Sequence, residues 1–170
     1  MVNSTVDLLA LRCLAHLDKE DAMLQTSWEL VQQTRQALLQ RDHRLLQQIL
    51  QRQQETAAIA ENLRSARQAI RCDIATCFSI PKKDASLGYL ARRAPPERRE
   101  QLISYQQRLS KTAEQVDTLN RGNVALAGQV MDLLQGVLHR LTGENPQSAC
   151  YERSGRLNRQ PGAVPHAANR

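Results

Sequence analysis

The sequence has few of the residues that build β-sheets, disulfide scaffolds or membrane spans. Aromatic residues make up 3% of its 170 residues, and seven glycines and six prolines are too few for the many turns of a β-sandwich. The four cysteines, at positions 13, 72, 77 and 150, form no C-x-x-C pair, which argues against a zinc site or a disulfide framework.

No run of about 18 apolar residues is present, so no membrane insertion is expected. Charged residues also interrupt the apolar residues at the start of the chain, where a signal peptide would lie. We therefore expect a cytoplasmic protein.

Motifs of catalytic, cofactor-binding and metal-binding sites are also lacking. The chain has no Gly-rich phosphate loop, no H-E-x-x-H and no nucleophile elbow. His16, one of four scattered histidines, is interpreted as a surface or boundary residue without a role. We accordingly predict that the protein is not an enzyme and uses no cofactor or metal.

The net charge of +6 is concentrated outside the predicted helices. Residues 1–80 carry nine basic and nine acidic side chains, and residues 100–143 carry four of each. The excess lies in residues 81–99, with six basic and two acidic side chains, and in residues 144–170, with four and two. A helix that binds nucleic acid would collect its basic residues on one face. We therefore expect no nucleic-acid partner.

The sequence is rich in Leu, Gln, Arg and Ala, which favour helices. Its apolar residues form one long heptad pattern, or seam, over residues 101–143. One row of this seam repeats every seventh residue, and a second row lies three or four residues further on. The first row is Leu102, Leu109, Val116, Asn123, Val130 and Val137, and the second includes Tyr105, Ala113, Leu119, Leu126, Leu133, Leu134 and Leu141. Such a helix needs an apolar partner along its length, from inside or outside the chain.

Two further long helices are predicted before this one, at residues 19–40 and 43–77. Residues 1–17 are read as a short helix or the lead-in to the first. Asp42 can cap the second helix, which places a tight turn at 40–42, although one continuous helix over 19–77 is the alternative. Polar Gln53 and Thr56 interrupt the apolar stripe of the second helix. The proposed fold is an all-α, elongated antiparallel bundle or coiled coil of three long helices.

The domain boundaries follow from proline and glycine. Pro81, Gly88 and the Pro95-Pro96 pair mark a connector at residues 79–96, in which a short helical turn at 85–90 fits. Pro96 suits the first turn of the third long helix, and Gly143 suits its end. We thus predict a helical bundle over residues 1–143 and a disordered basic tail over 144–170, which has few apolar residues to bury.

Two asparagines on or beside the seam, Asn120 and Asn123, have two interpretations. A buried asparagine can fix the register of a coiled coil at a cost in stability. The pair can also be a family signature.

At these residues the chain resembles the FlgN family of flagellar export chaperones. That family has a spaced Asn pair, a long Leu/Val-rich amphipathic run and a short tail with a Tyr and a Gly four residues later. Tyr151 and Gly155 match the tail in this sequence, and the Leu-Leu, Arg41-Asp42 and Leu45-Leu46 order matches the N-terminal half. The resemblance covers roughly residues 19–155, but the basic connector at 81–99 matches no family motif.

The resemblance implies a cytoplasmic chaperone of the flagellar type III export system. Such a protein binds the C-terminal helices of hook–filament junction (hook-associated) proteins, prevents their premature assembly and delivers them to the export gate. An amphipathic stripe beside an unfolded tail suits the capture of a helix. The expected partner-binding residues are Asn120, Asn123, Leu126, Val130, Leu133, Leu134, Val137, Leu141 and Tyr151. The alternative is a coiled-coil structural or scaffold protein whose seam is fully buried within a homo-oligomer.

Overall fold

The computed structural model describes residues 2–142, with side chains from Ser4 onward. The elements are α1 (Val2–Gln40), α2 (His43–Phe78), the short α3 (Leu87–Ala91) and α4 (Pro96–Thr142), and these described residues contain no strand. The predicted all-α class with long helices is confirmed. Residues 2–17 continue directly into α1, so the second interpretation of this segment, as the lead-in to the first long helix, is confirmed. The predicted tail and Gly143 lie outside the described residues.

The turn between α1 and α2 lies where the sequence placed it, which excludes a continuous helix over 19–77. Asp42 caps α2, because its carboxylate Oδ1 accepts a hydrogen bond from the Leu45 N–H at 2.9 Å. The Asp42 N–H donates to the Ala37 carbonyl at 3.0 Å, and Arg41 adopts a left-handed conformation with φ of 58°. This arrangement pairs the Ala37 and Leu38 carbonyls at the end of α1 and reverses the chain within two residues.

Side-chain pairs set the register of the three long helices. Antiparallel packing of α1 and α2 follows from the Arg12–Asp73 and Arg67–Glu20 ion pairs and the Gln53–Thr34 hydrogen bond, in which residue numbers rise in one helix and fall in the other. The pairs between α1 and α4 instead keep a nearly constant offset, so these two helices are parallel. They are Asp7–Arg98, Asp18–Tyr105, Asp21–Arg108 and Val31–Asn123.

Two buried clusters lie towards opposite ends of the α1–α2 pair. The larger cluster joins α1 and α2 to the connector and to Leu102 of α4. The smaller cluster, near the turn, contains Leu30, Ala37 and Ile49. Gln53 and Thr56 are both half-buried between the clusters, and the Gln53 amide donates to Thr34 Oγ1 at 3.1 Å. The predicted interruption of the α2 stripe is therefore confirmed.

The connector is a folded part of the larger cluster. Leu90 and Ala85 are both 0% exposed, and Ser86 caps α3 through a hydrogen bond to its hydroxyl from the Tyr89 N–H. The Arg93 guanidinium lies 3.7 Å from the centroid of the Tyr89 ring. The short helical turn expected at 85–90 is present at Leu87–Ala91, and Pro96 begins α4 as predicted.

The seam of α4 faces α1 with the expected spacing but with one difference. Leu102, Thr112 and Asn123 are buried, and the half-buried Leu109 and Val116 lie between them. The sequence analysis placed Ala113 in this seam, whereas Ala113 is exposed and Thr112 occupies the inner position. A heptad row advances by three or four residues, so the apolar Ala113 was preferred to the polar Thr112 one residue earlier.

The chain divides into two compact units, Met1–Asn123 and Val124–Arg170. Helix α4 contributes to both units. Only residues 124–142 of the second unit are described.

Candidate functional site

The described part of the second unit presents a row of exposed apolar side chains. Among the predicted partner-binding residues, Leu133, Leu134, Val137 and Leu141 are exposed, with Leu141 at 78%, while Leu126 and Val130 are half-buried. Val124, Met131 and Leu138, which are apolar residues of the same segment, are also exposed. We call the set from Val124 to Leu141 the α4 stripe.

The α4 stripe is wider than a coiled-coil seam. At about 100° per residue, its apolar side chains cover roughly half of the helix circumference, compared with a strip of about 100° on a typical surface helix. The other face holds Gln129, Asp132, Gln135, His139 and Arg140 together with Ala125 and two glycines. A surface of this width can contact more than one helix, or a single helix together with an extended segment.

The two asparagines of the predicted signature have different environments. Asn123 is 3% exposed, and its amide Nδ2 donates a hydrogen bond to the Val31 carbonyl at 2.8 Å. Its Oδ1 is buried and has no hydrogen-bond partner among the described residues. Asn120 is exposed. The geometry gives Asn123 an internal contact between α4 and α1, and its part in partner binding stays a prediction, as does that of Tyr151, which lies outside the described residues.

An open groove runs along α1 between α2 and α4 in the first unit. It consists of two clefts, of about 440 and 250 Å³, which both include Met23. The floor extends along one face of α1 from Cys13 to Val31, which is about 27 Å of helix. The α2 wall includes Ile74, Ile70, Arg67, Ala60 and Thr56, and the α4 wall includes Gln106, Leu109, Ala113, Val116 and Asn120. We call this feature the α1 groove.

A buried polar cluster lies in the lining of the α1 groove. Glu20, 5% exposed, accepts from Arg67 Nε at 2.7 Å and contacts His16 Nε2 at 2.8 Å. The Arg67 Nη2 atom lies 2.6 Å from the same oxygen, Oε1, so all three contacts use one carboxylate oxygen. His16 is 7% exposed, so its interpretation as a surface or boundary residue was wrong. The signal that could have placed it is its spacing of four residues from Glu20, on the same helix face as Leu17 and Leu24.

Cys13 lies at one end of the groove floor as a buried thiol. Burial, with a smaller contribution from the nearby charge of Glu20, raises the pKa of the Cys13 thiol to about 11. No cluster of His, Cys, Asp and Glu able to hold a metal ion occurs among residues 2–142.

The described helices therefore define an all-α protein with an exposed apolar stripe on α4. A model of the family described as FlgN protein matches residues 12–159, which is most of the chain. The chain belongs to the FlgN family, and the family resemblance drawn from the sequence is confirmed. No curated protein and no solved structure gave a match. Within residues 2–142, no helix is both long and apolar enough to cross a membrane.

Membership of this family gives the protein a general role. FlgN proteins are chaperones of flagellar export, and this chain shares that role as a binder of flagellar proteins. The family is one of chaperones and is not known for enzymes.

Proposed function

We propose that the protein binds the C-terminal helices of hook–filament junction proteins in the cytoplasm, prevents their premature assembly and delivers them to the flagellar export gate. The α4 stripe, together with Asn120, Asn123 and Tyr151, is the proposed capture surface. The observation that carries this proposal is the exposure of the apolar side chains from Val124 to Leu141.

The energetics of the stripe favour an apolar partner. Each Leu, Val or Met side chain that moves from water into an interface contributes about 1.5–3 kcal/mol when it is fully buried. Seven such side chains of the stripe are exposed within 18 residues of helix. Even partial burial of the stripe can therefore offset a large part of the cost of association, which is about 4–15 kcal/mol.

A pair of charge substitutions tests the capture surface. Leu134→Asp with Leu141→Asp places two carboxylates in the stripe, and both side chains are exposed, so the fold should survive. We expect this variant to lose binding to a purified hook–filament junction protein in isothermal titration calorimetry. The matched control is Gln129→Asp with Gln135→Asp, which adds the same charge on the polar side of the same helix.

Two outcomes would overturn the proposal. Binding of the folded Leu134→Asp/Leu141→Asp variant at parental affinity would remove the stripe as the capture surface. A parent protein that binds no junction protein but elutes as a stable oligomer in light scattering would favour the alternative role as a self-assembling scaffold. The exposed stripe fits that alternative as well, since a second copy could cover it.

A further inference from the structure

The connector carries cationic side chains that form no ion pair within the fold. Residues 81–99 hold six basic side chains, and among the described residues only Arg98 of these six pairs with a carboxylate, that of Asp7 at 3.3 Å. Arg71 of α2 joins the other five, because its guanidinium donates to the carbonyls of Ala85 at 3.0 Å and Lys82 at 3.3 Å. We call the resulting set the connector patch: Arg71, Lys82, Lys83, Arg92, Arg93 and Arg99.

The nearby carboxylates leave the connector patch positive. On the long helices, arginines pair with carboxylates, as Arg108 does with Asp21 at 2.9 Å. The two carboxylates of residues 81–99, Asp84 and Glu97, are exposed, and neither forms an ion pair in the part of the chain that the structure describes. The cations of the patch outnumber these carboxylates, so the surface keeps a net positive charge.

Uncharged groups hold the guanidinium groups of the patch in place. Arg99 donates to the carbonyls of Ala91 at 3.2 Å and Arg92 at 3.1 Å, and the Arg93 guanidinium lies over the Tyr89 ring. These contacts orient the guanidinium groups and leave their charge unpaired. A partner that binds side chains arranged in advance has less conformational entropy to offset.

The connector does not have the composition of a membrane-binding surface. No large apolar side chain is exposed between Ile59 and Ile103. Stable binding to a lipid surface takes an inserted apolar group or a lipid anchor in addition to basic residues. An anionic membrane is therefore a poor match for the patch.

Nucleic acid is a poor match as well. A single strand is bound by stacking of its bases on exposed aromatic rings, but Arg93 covers the Tyr89 ring and Phe78 packs edge-on against it at 5.4 Å. A duplex is read by a basic helix or ribbon, and α3 is five residues long without a basic residue. Carboxylates of a protein are the remaining anions, and guanidinium groups bind them in a matching planar geometry.

We propose that the connector patch docks an acidic segment of a second protein. Arg71 and Arg99 each use two N–H groups on carbonyls, which leaves further donors for a carboxylate. Ion pairs at a surface are individually weak and are screened by salt, so this binding should be reversible and should weaken as the ionic strength rises. The patch lies in the first unit and the α4 stripe in the second, so the inference does not rest on the proposed function.

Fluorescence anisotropy with a fluorescein-labelled oligoglutamate peptide tests the patch on the full chain. The patch variant is Lys82→Ala with Lys83→Ala and Arg92→Ala, three exposed residues without an ion pair in residues 2–142, so the fold should survive. We expect it to bind the peptide about tenfold more weakly than the parent, or worse. If circular dichroism shows that this variant is misfolded, Lys82→Gln with Lys83→Gln replaces it.

The matched control removes the same charge from exposed positions on the three long helices. It is Lys19→Ala with Arg44→Ala and Lys111→Ala, and it should bind the peptide like the parent. Both variants keep the basic residues after Gly143, so a loss confined to the patch variant cannot come from them. An equal loss in the control would show a response to net charge alone and would overturn the proposal.

Three further results would overturn the proposal. The first is parental affinity of the folded patch variant for oligoglutamate. The second is patch-dependent binding to single-stranded oligothymidylate, or to phosphatidylcholine vesicles that contain phosphatidylserine, without binding to oligoglutamate, because the partner would then be of another class. The third is weaker binding of the patch variant to a purified hook–filament junction protein that the parent binds, because the patch would then belong to the client site.

Discussion

Replacement of the buried Asn123 by valine should stabilise the protein by about 1 kcal/mol. The change removes Oδ1, whose burial without a partner costs about 1–3 kcal/mol. It also removes the hydrogen bond from Nδ2 to the Val31 carbonyl, a loss of about 0.5–1.5 kcal/mol. The Val31 carbonyl stays paired, because it lies inside α1 and accepts the helical N–H of Arg35. The net effect is favourable because one unsatisfied group disappears and no new one is created.

Urea denaturation followed by circular dichroism measures this effect. A higher midpoint with an unchanged slope would show a gain in stability without a change in the surface exposed on unfolding. Asn120→Val is the matched control, since Asn120 is exposed and should change the free energy of unfolding by less than about 0.5 kcal/mol. The Asn123 variant should also loosen the register between α4 and α1 or promote self-association, which light scattering would detect. The reasoning would be refuted if Asn123→Val lowered the urea midpoint or left it unchanged while Asn120→Val also left it unchanged.

Two further predictions concern the larger buried cluster. Leu90→Ala should lower the free energy of unfolding by about 2–5 kcal/mol, because Leu90 is 0% exposed, whereas Ile59→Ala at a 53% exposed position should cost far less in the same urea titration. An unchanged free energy of unfolding for Leu90→Ala would show that the connector is not part of the core. Cys13 should resist a thiol reagent in the folded protein while the exposed Cys72 reacts, and equal rates in single-cysteine variants would contradict its burial. Because the pKa of Cys13 rises from 9.0 to about 11 on folding, its contribution to stability is fully present below pH 9 and is lost as the pH rises towards 11.

The long helices and their boundaries follow from local signals in the sequence. Asp42 is a side-chain cap, and Pro96 fits the first turn of a helix, so each boundary depends on residues adjacent to it. The seam of α4 follows from spacing alone. These features could be predicted because they need no knowledge of what packs against them.

The features that sequence analysis missed depend on contacts between distant residues. His16 contacts Glu20 four residues later in α1, a spacing that is visible in the sequence, but the ion pair that Glu20 forms with Arg67 of α2 is not. The connector is too short to display an apolar period, so the burial of Leu90 could not be read from it. The α1 groove depends on how far apart α2 and α4 lie along α1. No residue pattern within one helix specifies that separation.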